Sequence, residues 1–156
     1  MAWHRLRRRY KGFGTAGAGF GAPLSLRDWR ASAPDPGVEA LGAELMSRIA
    51  HAVPVLPVPL TAAAILQGPV SRADLPARAE ALALRMAEAG ATLKLPPEGA
   101  AAAVAEALPG LIARGIVAET PEGLIPAAGA EALLAFQAAP VRQWDDMAGG
   151  AATQQT

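Results

Sequence analysis

The segment Pro54-Val-Leu-Pro-Val-Pro59 is the strongest constraint in the chain. A proline every two or three residues removes backbone donors and pushes each preceding residue out of the helical region. Residues 54–59 are therefore expected to be an extended, proline-rich linker that divides the 156 residues into two parts. Fourteen prolines and sixteen glycines in all cut the rest into short elements. Just over half of the residues are apolar, yet much of that fraction is alanine, and aromatics amount to three Trp, three Phe and one Tyr. Alanine favours helix but buries little surface, so the core is expected to be thin for this length.

Upstream of the linker, residues 1–11 read as a short basic helix or arm and 12–24 as one glycine-rich strand with Phe13 and Phe20 as its large side chains. Ser25-Leu-Arg-Asp28 is a capping box opening a brief turn through Trp29, and 31–37 form a loop. Asp35 as cap and Pro36 at the first helical position open a helix whose Val38, Leu41, Leu45, Met46, Ile49 and Val53 recur at helical spacing. They are expected to form a buried stripe.

Downstream, a short helix over 60–67 is followed by a second capping box, Ser71 with Asp74, and a helix to Ala89 with Leu75, Ala79, Leu82 and Met86 inward and Gly90 as its stop. A third helix runs from near Pro97 to Gly115 with Val104, Leu108, Leu111 and Ile112 inward, and Pro109-Gly110 is expected to kink or split it. Residues 116–126 read as a hairpin turning at Thr120-Pro-Glu-Gly123. A final helix over 129–139 is expected to bury Leu133, Leu134 and Phe136, and 145–156 to be a disordered tail. The fold class is mainly α, strictly α+β. Residues 1–53 (arm, orphan strand, helix) and a small winged-helix-like unit over 60–144 flank the linker.

Chemistry is scarce. With no cysteine there is no disulfide, thiolate nucleophile or Cys-based zinc site. Gly12-Phe-Gly14-Thr-Ala-Gly17 satisfies the dinucleotide pattern, but arginines precede it where a strand belongs and more glycine and Pro23 follow where a helix should open. Of the two histidines, His4 sits among arginines and His51 at a helix C-terminus, where the dipole alone favours it. Asp145-Asp146 is a carboxylate pair next to the tail, read as solvated charge, and no GxSxG serine is present. No catalytic, cofactor-binding or metal-binding residue is assigned. No cofactor is expected, and the chain alone is expected to be inactive.

Charge separates two binding readings. Residues 1–30 hold seven basic side chains against Asp28, so the remainder carries a net −6. A basic end of this kind suits an acidic protein surface, an anionic membrane surface, where each Lys or Arg gains ~1 kcal/mol, or a channel for a phosphorylated substrate. No apolar run reaches the ~18–20 residues that span a bilayer, and no secretory signal is visible. The helix-helix-helix-hairpin order is that of a free-standing interaction module that binds protein or DNA. Between 60 and 139, however, five basic residues face eight acidic ones, and Ala100–Ala103 and Glu106 stand where a DNA reader would show donors.

Arg9-Tyr-Lys-Gly-Phe-Gly14, Phe20-Gly-Ala-Pro-Leu-Ser-Leu-Arg-Asp-Trp29, Glu44-Leu-Met-Ser-Arg-Ile49 with Val53-Pro-Val55, Leu60-Thr-Ala-Ala-Ala-Ile-Leu66, Ile112-Ala-Arg-Gly-Ile-Val117 and Leu133-Leu-Ala-Phe136 follow one another in a characteristic order. Over roughly residues 5–144 the chain resembles the C-terminal part of the bacterial glycerol-3-phosphate 1-O-acyltransferases, departing from that pattern at Pro109-Gly110 and in the glycines of 12–21. The resemblance implies phospholipid biosynthesis by acyl transfer from a thioester to glycerol 3-phosphate, with the HxxxxD motif and the phosphate-binding motifs upstream of the matched region. Taking His4 as that histidine puts Arg9 where the aspartate belongs, so no catalytic role is inherited. The implied partner is an acyltransferase catalytic domain. The implied location is cytoplasmic, peripheral on the inner face of the cell membrane.

Overall fold

The computed structural model describes residues 16–32 and 37–153. Within them lie α1 (Leu26–Ser32), α2 (Val38–Ala52), α3 (Pro57–Leu66), α4 (Leu75–Glu88), α5 (Ala100–Ala113), β1 (Val117–Thr120), β2 (Gly123–Pro126) and α6 (Glu131–Thr153). The protein is mainly helical with a two-stranded antiparallel sheet, as its sequence implies. The basic arm, His4, most of the Gly12–Gly17 pattern, and Asp35 with Pro36 fall outside the described residues.

The core is centred on α3. Its sequence, Pro57-Val-Pro-Leu-Thr-Ala-Ala-Ala-Ile-Leu66, carries no charge, and a helix that is apolar all round belongs inside. Leu60, Thr61, Ala62, Ala64 and Ile65 are fully buried, enclosed by α4, α5 and α6. The helix starts at Pro57, inside the stretch expected to be extended throughout. Pro57 and Pro59 occupy the first turn, where the backbone N–H has no helical acceptor and its loss costs nothing. Only 54–56 remain outside helix, and Val55 is stitched to the α4–α5 connection. Its N–H donates to the Thr92 carbonyl at 2.9 Å and its carbonyl accepts from Lys94 N at 2.9 Å.

The helix α4 buries the expected face, Leu75, Ala79, Leu82 and Met86. Ser71 does cap Asp74 N at 3.0 Å, but it closes a single turn ahead of the helix, which begins at Leu75 with Pro76 in its first turn. Gly90 and Gly115 stop α4 and α5 with positive φ, and the following amides reach back five residues, Ala91 N to Met86 O at 2.9 Å and Ile116 N to Leu111 O at 3.0 Å. The α5 helix is not split at Pro109-Gly110. Pro109 lies on its exposed face while Leu108 and Leu111 hold the buried one. Gly99 at its start has no side chain to cap with, and the Glu80 carboxylate of α4 accepts from Ala100 N at 3.2 Å instead.

The hairpin pairs Val117 with Pro126 through Thr120 with Gly123. Val70 lies beside its outer strand, accepting from Leu124 N at 2.7 Å. The last helix differs most from expectation. Leu133 and Phe136 are exposed, and the buried face is Leu134, Ala138, Val141 and Trp144. That face crosses Pro140 and carries the helix to Thr153, where a disordered tail was expected. Burial of Val141 and Trp144 outweighs the one backbone bond that Pro140 forfeits.

Candidate functional site

The stripe expected to be buried on α2 is instead a surface. No residue of α2 is buried. Val38 is 86% exposed, Met46 64%, Ile49 57% and Leu45 42%. Amphipathic spacing is present, but the described residues leave that face exposed. Toward its C-terminal end the helix is tied to α6. Gln143 Nε2 donates to the Ala50 carbonyl at 2.5 Å, and the His51 ring meets Trp144 edge-on at 5.1 Å between centroids.

Residues 16–24 form no strand here. They lie over the last turns of α2 as a strap, with Phe20 projecting 96% exposed. Between strap and helix is a groove of about 520 Å³ lined by Leu24, Leu45, Ile49, Val53 and Pro54 among others. On the strap's other side a recess of about 490 Å³ is edged by Arg48, His51, Thr92 and Lys94. Arg48 is anchored by Glu44, with Nε 2.6 Å from Oε1. The Glu44–Arg48 spacing was visible in the sequence as a helical i, i+4 pair; Thr92 and Lys94 arrive from a distant loop and carried no signal.

At α1 the sequence-derived cap is in place, with Asp28 N donating to Ser25 Oγ at 3.3 Å. His51 sits in the last turn of α2, as its helix-end position implied. Its Nδ1 is 2.6 Å from the Ser47 carbonyl, so this nitrogen carries the proton and donates. Nδ1 is thus held by a backbone carbonyl and the ring by an indole, with no acid as the orienting partner among these contacts. Among the described residues no three His, Asp or Glu side chains converge as metal ligands. Asp145 and Asp146 lie within α6 with side chains outside the described residues. No helix opens at Gly17, the next beginning at Leu26, so the glycine pattern lacks the helix N-terminus that would receive a pyrophosphate.

The outward side of α5 presents Ala101, Ala105, Pro109 and Ala113. On the hairpin, Glu119 takes a two-pronged bond from Arg72, Nε to Oε1 at 3.0 Å and Nη2 to Oε2 at 2.7 Å. Those bonds hold the Glu119 carboxyl below the ordinary carboxylate range and raise the Arg72 guanidinium.

With this surface described, comparison with protein families decides the relationship: the family model of the glycerol-3-phosphate acyltransferase C-terminal region matches residues 3–139. The chain belongs to this family. No curated protein and no solved structure matches it. The glycerol-3-phosphate acyltransferase match spans the strap, the exposed α2 face and the helical unit as far as Leu134 and Ala138 of α6. No helix among the described residues of this acyltransferase region is long and apolar enough to cross a membrane.

Proposed function

We propose that this chain is a non-catalytic part of a glycerol-3-phosphate acyltransferase, seated by the outer face of α2 on an acyltransferase domain that carries the HxxxxD motif. The observation that carries the reading is the exposed stripe Val38, Leu45, Met46 and Ile49, a helical face built for burial and left uncovered. Large apolar patches of this kind mark protein contacts. The compact unit around α3 would then hold α2 at a fixed angle to the catalytic domain, while the thioester, glycerol 3-phosphate and the proton transfer belong to that domain. In this reading the basic stretch Arg5–Lys11, with Arg27 and Arg30 of α1, faces the anionic inner surface of the cell membrane. Vesicle flotation at low salt tests that part: equal binding to neutral and anionic vesicles refutes it.

The central test is binding to the acyltransferase domain supplied as a separate chain. Leu45→Asp with Ile49→Asp should weaken the complex on the order of tenfold or more, since each buried aliphatic side chain contributes ~1.5–3 kcal/mol. Its melting temperature should stay unchanged, because neither residue touches the core. The purified chain alone should not esterify glycerol 3-phosphate. Turnover by the chain alone that disappears in His51→Ala would sink the proposal.

A further inference from the structure

The recess beside the strap collects positive charge in a part of the chain that is otherwise acidic. Residues 31–156 hold seven basic against thirteen acidic side chains. Arg48 of α2 and Lys94 of the α4–α5 connection nevertheless edge this one space of about 490 Å³, together with His51 and Thr92, and among the described residues no carboxylate lines it. Glu44 is not one of its walls and ties Arg48 through Nε, at 2.6 Å. The two terminal nitrogens of the guanidinium remain, of which Nη1 makes a long contact of 3.5 Å with the Ala22 carbonyl. Lys94 Nζ, Thr92 Oγ1 and His51 Nε2 have no partner among the described residues.

The carbonyl end of α2 attracts cations with about half a charge, but it does not explain the cluster. Its Ser47 carbonyl already accepts from His51 Nδ1, and its Ala50 carbonyl from Gln143 Nε2 and Val53 N. Lys94 comes from another element, held here by the backbone bonds from Val55 N to Thr92 O and from Lys94 N to Val55 O. Framework, and no shared carboxylate, brings the two charges to one recess. Their mutual repulsion is relieved by an anion.

The facing wall is backbone. Residues 18–22 are Ala-Gly-Phe-Gly-Ala, and among the described residues their N–H groups reach no acceptor. Glycine lets an anion come close to such amides. A guanidinium fork, an ammonium, a hydroxyl and free amides together suit the three terminal oxygens of a phosphate ester. His51 Nε2, its Nδ1 already committed, can accept from a phosphate O–H. Ala22, Ala52 and Pro54 give the recess an apolar side for the carbon of the ester.

We infer that the recess between the strap, the end of α2 and the α4–α5 connection binds a phosphate monoester, with Arg48 and Lys94 on its terminal oxygens and its carbon against Ala52 and Pro54. The monoester is carried by a small soluble molecule or by a lipid headgroup. All the groups that hold it belong to this chain, so the site is independent of the docking of α2.

Chemical-shift titration of the full chain by NMR tests it, with ethyl phosphate as the probe at low ionic strength, where charge is least screened. The amides of Gly19, Gly21, Thr92 and Lys94 should move along one curve, with Kd on the order of 1 mM for so small a ligand. Arg48→Met and Lys94→Met keep the apolar stems and should each raise Kd about fivefold or more. Both should melt like the parent; if one does not, the other carries the test. Arg114→Met, which removes a cation outside the recess, should bind unchanged. Vesicles of phosphatidate or phosphatidylglycerol in phosphatidylcholine separate the two sources. Saturable ethyl phosphate binding assigns a soluble ester. Phosphatidate binding that Lys94→Met weakens, with ethyl phosphate silent, assigns a headgroup. The proposal is overturned if neither probe moves these amides, if both methionine variants bind like the parent, or if the diester phosphatidylglycerol serves as well as phosphatidate. None of these outcomes bears on α2 docking, because the acyltransferase domain is absent from the experiment.

Discussion

Replacing Trp144 by alanine probes the part of the fold that the sequence hid best. Trp144 is 1% exposed on the far side of Pro140, and its ring meets His51 at 87°. A buried Trp removes roughly 150–250 Å² from water, or about 4–6 kcal/mol at 25 cal/mol per Å². Measured Trp-to-Ala costs in cores run about 3–5 kcal/mol. One effect opposes this. The indole Nε1 finds no acceptor among the described residues, and deleting an unsatisfied buried donor returns on the order of 1 kcal/mol. The net expectation is a loss of about 3 kcal/mol, a large share of what a unit of this size holds. For a cooperative unit of 60–100 residues that is a fall in Tm of roughly 12–24 °C. Urea unfolding followed by far-UV circular dichroism is the assay, because the signal reports helix and not the three tryptophans. The midpoint should fall with m unchanged. Trp144→Phe should recover most of the loss. A cost below about 1 kcal/mol for the alanine variant would mean that α6 is not held past Pro140, and the reasoning for its continuation would fail.

Gly123→Ala should cost about 2–3 kcal/mol in the same assay, because φ is 123° and a Cβ would lie 2.6 Å from the Val70 carbonyl oxygen. Glu80→Ala removes the acceptor for Ala100 N and should cost roughly 0.5–1 kcal/mol, seen as a small drop in Tm; no change would show that the α5 terminus is capped by water. The Arg72–Glu119 pair gives a pH signature. Glu119 is held below its ordinary value in the fold, so its contribution is complete above the ordinary carboxylate value and is lost as pH falls through the lower folded one. Glu119→Gln should therefore flatten the stability profile between about pH 5 and pH 3, and 0.5 M salt should shrink the difference, since both groups are exposed.

Where one residue type carried one physical meaning, the sequence was readable. Leu75, Ala79, Leu82 and Met86 sit where helical spacing put them, and Gly90, Gly115 and Gly123 take the positive φ that a stop or turn requires. Proline was harder, because its cost depends on position. Pro57 and Pro59 were read as helix breakers and are helix starters, while Pro140 was read as beyond the end of a helix that passes through it. Misplacing that end rotated the assigned face: Leu133 and Phe136 outcompete Ala138 in hydropathy, but only Leu134, Ala138, Val141 and Trp144 make a continuous line. On α2 the spacing was right and the burial wrong. Periodicity reports that a face is apolar and is silent on whether its cover belongs to the same set of residues. The surface around Arg48, Lys94 and Phe20 was out of reach for a different reason. It is assembled from a strap, a helix end and a loop that are distant in sequence, joined by packing and not by any motif.

Val55 is clamped on both its amide and its carbonyl, immediately after α2 ends. The entry to the helical unit is therefore a rivet and not a swivel. Torque applied along α2 passes into α6 through Gln143 and Trp144 and into the turn between α4 and α5 through Thr92 and Lys94. A pull on the N-terminal end should first free α2 from Gln143 and Trp144 and then shear those two backbone bonds, before α3 leaves its socket, so mechanical rupture begins at the seam and the four-helix packing yields last.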